Sequence, residues 1–287
     1  MEFWLGAAFV DTGEYLGLAR AADRLGYDVV AVSDHLFHAA YGTPYPYSED
    51  GTPPYDAGTH WPDPWVTIGA MAAVTERVRF ATNVYVVPVR DLFTVAKAVS
   101  TAAVLSGDRV VLGVGAGWCA DEFAQTGQDF RTRGRRLDEA IPVLRRLWAG
   151  GEVEHHGRFH DFGPLSIAPV PARPVPVYVG GDSDAALRRA ARIGDGWIGN
   201  RVYPEDRLGD LLDRLAGFLA EEGRTLDDLR VVAPIGAMPS ADLYRKWAER
   251  GVDATMAAPW WRAGNAAPLD VKIDAMERFA DEVISRM

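Results

Sequence analysis

Eight short runs of apolar and β-branched residues recur along this 287-residue chain, and helical periods fill the intervals between them. The runs are Phe3–Val10, Asp28–Val32, Arg79–Val87, Arg109–Gly115, Val175–Gly180, Gly196–Gly199, Leu229–Ile235 and Ala254–Ala258. Most are continuously apolar, the pattern of strands buried on both faces. Leu208, Leu211, Leu212, Leu215, Phe218 and Leu219 follow helical spacing, as do Leu92, Val95, Ala96, Val99 and Ala103. A third helical period near 131–149 contains Pro142, which lacks a backbone donor and is expected to kink or restart the helix. Strict alternation implies a parallel sheet, and eight repeats in this length imply an α/β fold, a closed (β/α)8 TIM barrel, as a single domain over 1–287. Two stretches break the rhythm and are expected as insertions. They are a long loop after strand two, 36–63, rich in Pro, Tyr and Gly, and an irregular segment before strand five, 150–174. Loops of that length in compact domains are usually lids or binding loops.

Charge and cysteine content narrow the function classes. Forty acidic against thirty basic residues give a net charge of −10. That balance argues against nucleic acid or an anionic membrane as partner. The single cysteine, Cys119, allows no internal disulfide and suits a reducing compartment. No stretch reaches the roughly 20 apolar residues of a membrane span. The expectation is a soluble cytoplasmic protein acting on a small molecule.

Candidate chemistry collects at strand ends. Ser33-Asp34-His35 closes the second strand, and a carboxylate beside an imidazole there can move protons; a capping Asp with a packed His is the structural alternative. The fourth strand runs into Gly113, Gly115 and Gly117, followed by Trp118 and the acidic segment Asp121, Glu122. Glycines there allow close backbone approach to a ligand, or merely relieve crowding at a barrel rim. A dinucleotide fingerprint is rejected, because the acid it needs some 20 residues on falls inside a helix at Asp138 and Glu139. Gly180-Gly181-Asp182-Ser183 feeds a helix beginning near Asp184, where unpaired N–H groups can receive a phosphate or be capped by Asp182 or Ser183. His155, His156 and His160 read as a hairpin with alternating exposure, and no metal site is expected. Trp61, Trp118 and Trp260 are candidate walls for a flat ring or substrate.

Four segments together resemble the luciferase-like monooxygenase family, in its coenzyme F420-dependent oxidoreductase branch. They are SDHLF at 33–37, the run from Pro62 to Asp91, RVVLGVGAGWCADEFAQTG from Arg109, and VPVYVGGDSDAALRRAARIGDGWIG from Val175. The resemblance covers about residues 1–200. It implies a deazaflavin or flavin ring over the barrel's carboxyl mouth, backed by a non-proline cis peptide matching Asn83-Val84. It also implies that Asp34 contacts the ring and that His35, as catalytic residue, stands at its reacting face. Gly115 and Gly117 would approach the cofactor, and the backbone of Gly181, Asp182, Ser183 and Asp184 would hold its phosphate. Relatives of this kind often form homodimers. Where sugar-phosphate dehydrogenases of the branch carry a glutamate directly after G-x-G, this chain has Trp118, so a less polar substrate is expected. The activity implied is hydride transfer between F420 and a small organic molecule; the alternatives are an FMN monooxygenase served by a separate reductase, and a non-catalytic F420 carrier. Loop 36–63, with Tyr41, Tyr45, Tyr47, Tyr55 and Trp61, is expected to act as a lid over the substrate.

Overall fold

The computed structural model describes residues 1–39 and 42–287. Eight parallel strands close into a barrel: β1 (Glu2–Gly6), β2 (Val29–Val32), β3 (Arg79–Thr82), β4 (Val110–Val114), β7 (Val177–Gly180), β8 (Gly196–Ile198), β9 (Arg230–Val232) and β10 (Ala254–Ala257). β10 pairs back onto β1, with Glu2 opposite Ala254, so no edge is left unpaired. The two remaining strands, β5 (Val153–His156) and β6 (Asp161–Leu165), form an antiparallel hairpin outside the barrel. The expected barrel is therefore present, with every strand shorter than its apolar run. After β1, β3 and β9 the surplus residues lead into the loops at the carboxyl mouth, whereas for β2 and β7 they precede the strand.

Side-chain size explains how the barrel fills. Trp4 and Tyr178 point inward and stack 6.0 Å apart, and Ala31, Ala81 and Ala254 supply the small neighbours that make room for them. The outward-facing strand residues pack against helices α1 (Tyr15–Leu25), α2 (Pro64–Ala72), α3 (Leu92–Ser106), α4 (Ala120–Gln125), α5 (Arg133–Trp148), α6 (Asp184–Ile193), α7 (Glu205–Glu221), α8 (Ala241–Glu249) and α9 (Leu269–Glu282). Asp63, Asp91, Ser183 and Ser240 cap helix starts through their side chains. At the barrel's amino end Glu2 pairs with Arg79 and Arg230, tying three strands together. Among the described residues no helix is long and apolar enough to cross a membrane.

Pro142 does not restart its helix. α5 runs unbroken from Arg133 to Trp148 with the proline on its exposed face, where the ring meets solvent and not another element. The hairpin expected from HHGRFHDF is present, and Glu139 of α5 organises it. Its carboxylate accepts hydrogen bonds from the backbone N–H groups of Arg158, Phe159 and His160, and lies 3.1 Å from His155 Nε2. Among the described residues no group of three or more His, Cys, Asp or Glu side chains is placed to hold a metal ion.

Gly113 sits where β4 passes closest to β3. A Cβ there would collide with the carbonyl oxygen of Thr82, and with the Ile198 side chain at 2.9 Å. A backbone atom cannot swing aside as a side chain does, so Gly113→Ala should cost about 1–3 kcal/mol in urea unfolding. Gly163→Ala on β6, where a Cβ meets nothing within 4 Å, should stay within about 0.5 kcal/mol.

Candidate active site

The carboxyl ends of all eight strands open on one mouth, as parallel closure requires. β3 shapes its floor. After Thr82 the chain passes through a cis Asn83-Val84 bond, at the position the resemblance implied, and returns to pair Tyr85 with Val114 of β4. Val84 then lies across the tips of two neighbouring strands. A Cβ on Gly115 would stand 2.6 Å from Val84 Cγ2, and one on Gly180 2.6 Å from Val84 Cγ1. Gly117, at φ +85°, faces Val86 at 2.6 Å and Phe123 at 2.9 Å in the same way. The space left by Gly115 and Gly117 is thus taken by Val84, Val86 and Phe123. Asn83 and Val84 are themselves partly exposed at the mouth, and Asn83 Nδ2 donates to Met256 Sδ at 3.3 Å.

Asp34 is turned away from the mouth. Arg90 grips it with two nitrogens, at 2.7 and 2.8 Å, and the Val86 N–H donates to the same carboxylate at 2.9 Å. Burial pushes the Asp34 carboxyl up from its ordinary value, and the guanidinium opposes that push. Arg90 also lies 4.1 Å over the Tyr85 ring and donates to the Val86 carbonyl. Asp34, expected to contact a cofactor ring, has a structural task within the chain. Its oxygens are occupied, and they hold the segment that carries Val84 and Val86.

His35, next along the chain, lies beyond the tip of β2 at the mouth. Its ring is enclosed by Trp61 at 4.8 Å, Tyr55 at 5.5 Å and Trp118 at 5.6 Å. Tyr55 Oη lies 3.5 Å from Nε2, and Glu122 Oε1 lies 3.1 Å from Nδ1. Burial pushes the Tyr55 phenol up, so it remains a neutral hydroxyl. Trp61 and Trp118, two of the tryptophans named as candidate walls, thus lie against His35. Trp260 does not: it is 1% exposed, with its indole N–H on Asn265, because it packs into the core behind β10. Glu122 was not legible as a site residue; the only hint was an acid at a buried helical position just past the fourth strand's tip.

Loop 36–63 covers this region and is stitched down along its length. Thr43 donates to Asp121 and accepts from the Ala120 N–H. Tyr45 packs on Trp118 at 5.2 Å, and Tyr47 lies 5.1 Å beneath Arg201. Near its end the Thr12 N–H donates to His60. Tyr41 lies outside the described residues.

Across the mouth, Gly181 turns at φ +113°, a conformation glycine adopts without strain, and its carbonyl accepts from the Trp197 indole at 2.7 Å. Ser183 caps α6 by accepting from the Ala186 N–H, while first-turn N–H groups of α6 have no helical partner. Arg201 and Arg207 reach Asp182, and Arg214 reaches Asp184. Three guanidinium groups around two carboxylates at a helix N-terminus leave a positive balance suited to an anion. The expected phosphate residues thus lie together, with Asp182 and Asp184 acting through arginines that sequence reading had not singled out.

A family model for luciferase-like monooxygenases matches residues 5–279. The chain belongs to that family. An uncharacterized protein of Mycobacterium tuberculosis is 34% identical over 292 residues, covering 100% of both chains. An F420-dependent glucose-6-phosphate dehydrogenase of Nakamurella multipartita is 31% identical over 94% of this chain and 75% of its own. Among solved structures, the coenzyme F420 dependent tetrahydromethanopterin reductase of Methanopyrus kandleri superposes with a TM-score of 0.77 at 15% identity, over 99% of this chain and 98% of that one. This last likeness shows the shared barrel. Family and relatives together mark the chain as an oxidoreductase.

Breaking the Asp34–Arg90 pair from one side strands a buried charge. Arg90→Ala should cost about 3–5 kcal/mol in chemical denaturation. The double variant D34N/R90M keeps an acceptor for the Val86 N–H and should recover most of that loss.

Proposed function

We propose that this chain binds coenzyme F420 across the barrel mouth and transfers a hydride between it and a small, weakly polar organic substrate, with His35 handling the accompanying proton. The observation that carries this reading is the placement of His35: an imidazole at the mouth, boxed by Tyr55, Trp61 and Trp118. The residues present fit the cofactor's two ends. The first-turn backbone of α6, with Arg201 and Arg214 close by, suits a phosphodiester and the anionic chain beyond it. The Val84 platform over Gly115 and Gly180 offers an apolar backing for a planar ring. When bound, the deazaflavin supplies a two-electron hydride carrier that does not activate oxygen.

What the protein contributes is position, dryness and proton management. The stitched loop keeps water from the His35 pocket, and the aromatic box favours substrates with apolar flanks. A sugar phosphate is a poor match, since Trp118 stands directly after the glycines of β4 and no arginine or lysine is among the residues enclosing His35. The similarity to an F420-dependent dehydrogenase supports the cofactor assignment more than the substrate.

Fluorescence titration of the purified protein with F420 and with FMN should show F420 binding at least about tenfold tighter. Turnover should persist without oxygen; loss of turnover under anaerobic conditions would establish the FMN monooxygenase instead, and tight F420 binding with no turnover across a broad panel would establish a carrier. His35→Ala should lower kcat by about 10²–10⁴-fold, with F420 affinity changed by less than about threefold.

A further inference from the structure

Glu122 is a charged side chain only 1% exposed, and nothing in the proposed reaction yet uses it. It comes from α4, at the tip of β4, yet its contacts are with the tip of β2. One oxygen, Oε1, does two things: it accepts the Leu36 N–H at 2.7 Å and faces His35 Nδ1 at 3.1 Å. The backbone N–H makes that oxygen an acceptor. An imidazole nitrogen placed against an acceptor carrying negative charge must itself be a donor. Nδ1 therefore holds the ring proton, and the lone pair is on Nε2, the nitrogen that faces Tyr55 and the mouth.

We infer that Glu122 is a positioning residue that locks His35 in its Nδ1–H tautomer and so presents Nε2 as the proton acceptor of the reaction. This rests on the hydride-transfer reading for what the proton does, while the tautomer itself is independent of the cofactor. With the deazaflavin bound and the reaction run in the oxidising direction, an alcohol carbon would lose its C–H bond and pass the hydride to that carrier. The O–H bond breaks, its electron pair becomes the second bond of the carbonyl, and its proton forms a new bond to Nε2. The imidazolium so formed stays against the Glu122 carboxylate, which stabilises it without taking the proton. Other ionisable groups in this neighbourhood include Asp34, already bound to Arg90, Asp121, held by Thr43, the Tyr55 and Tyr45 phenols and the Cys119 thiol, the last three all pushed up by burial, and His38, whose ring packs on the Tyr55 ring. None of them competes for Nδ1.

The shared oxygen also sets apart two variants. In Glu122→Gln the Leu36 N–H still demands an acceptor, so the amide turns its oxygen to that site and the same oxygen keeps receiving Nδ1–H. The tautomer survives and the negative charge is lost. In Glu122→Leu nothing faces Nδ1 and the tautomer is released.

The test is long-range ¹H–¹⁵N correlation on ¹⁵N-histidine-labelled protein without cofactor, the His35 signals being assigned by their absence in His35→Ala. Wild type and E122Q should both show a protonated Nδ1 and a bare Nε2. E122L should show the Nε2–H form as half the population or more. A bare Nδ1 in wild type, or an E122L spectrum matching wild type, overturns the assignment. Should E122L not fold, the wild-type spectrum still decides the tautomer, and E122Q tests the charge: kcat should fall at least about tenfold with KM within about twofold, and an unchanged kcat overturns the stabilisation of the imidazolium by the carboxylate. If titration rejects F420, the spectra still judge the tautomer, so the two readings fail separately.

Discussion

The grip of Arg90 on Asp34 fixes the one part of the barrel that departs from regular strand geometry. β3 must leave its pairing after Thr82, present Asn83 and Val84 to the mouth, and rejoin β4 at Tyr85. A segment that bends this way needs an anchor for its freed backbone groups, and the Asp34 carboxylate provides it by accepting the Val86 N–H. The carboxylate is buried deeply enough that it requires a partner cation, and Arg90 meets that need from the end of the same segment. Adjacent tips then have to accommodate what the bend pushes toward them. Gly115 and Gly180 are glycines because Val84 occupies the volume their side chains would fill. The floor of the mouth follows from one ion pair and two missing side chains.

Above that floor the insertion after β2 performs work that a simple barrel loop of 2–6 residues does not. It supplies Tyr55 and Trp61 to the His35 pocket and packs Tyr45 on Trp118. Its anchorage is spread over α4, the loop after β8 and the turn after β1, through Thr43, Tyr47 and His60.

The repeating strand runs made the barrel legible, because a strand buried on both faces leaves an apolar signature that needs no knowledge of its neighbours. The His35 position was legible too, being a local feature of a strand's end. What sequence could not supply were relations between distant residues. Glu122 and His35 are 87 positions apart, and their contact exists only because β2 and β4 flank β3 in the closed sheet. The same holds for Arg201, Arg207 and Arg214, which reach back to Asp182 and Asp184 from the next unit of the barrel. Glycine identity was visible while its cause was not: the sequence shows an absent side chain, and only coordinates show which atom fills the gap. Trp260 illustrates the converse error, since a tryptophan after a strand tip can turn inward as easily as toward the mouth.

These placements divide the mouth into two electrostatic halves. The tips of β7 and β8 carry the helix N-terminus and its arginines, which suit an anion and tolerate water. The tips of β2 and β4 carry an imidazole paired to a buried carboxylate inside an aromatic box, which suits proton transfer and excludes water. A ligand with an anionic tail and a flat, uncharged ring would be complementary to both halves with its tail over β7 and β8. Binding energy gathered at the charged half can then orient the ring in the other half, where few polar contacts are available to do so. On the His35 side the Glu122 carboxylate, 3.1 Å from Nδ1, is the charged group in direct contact with the imidazole.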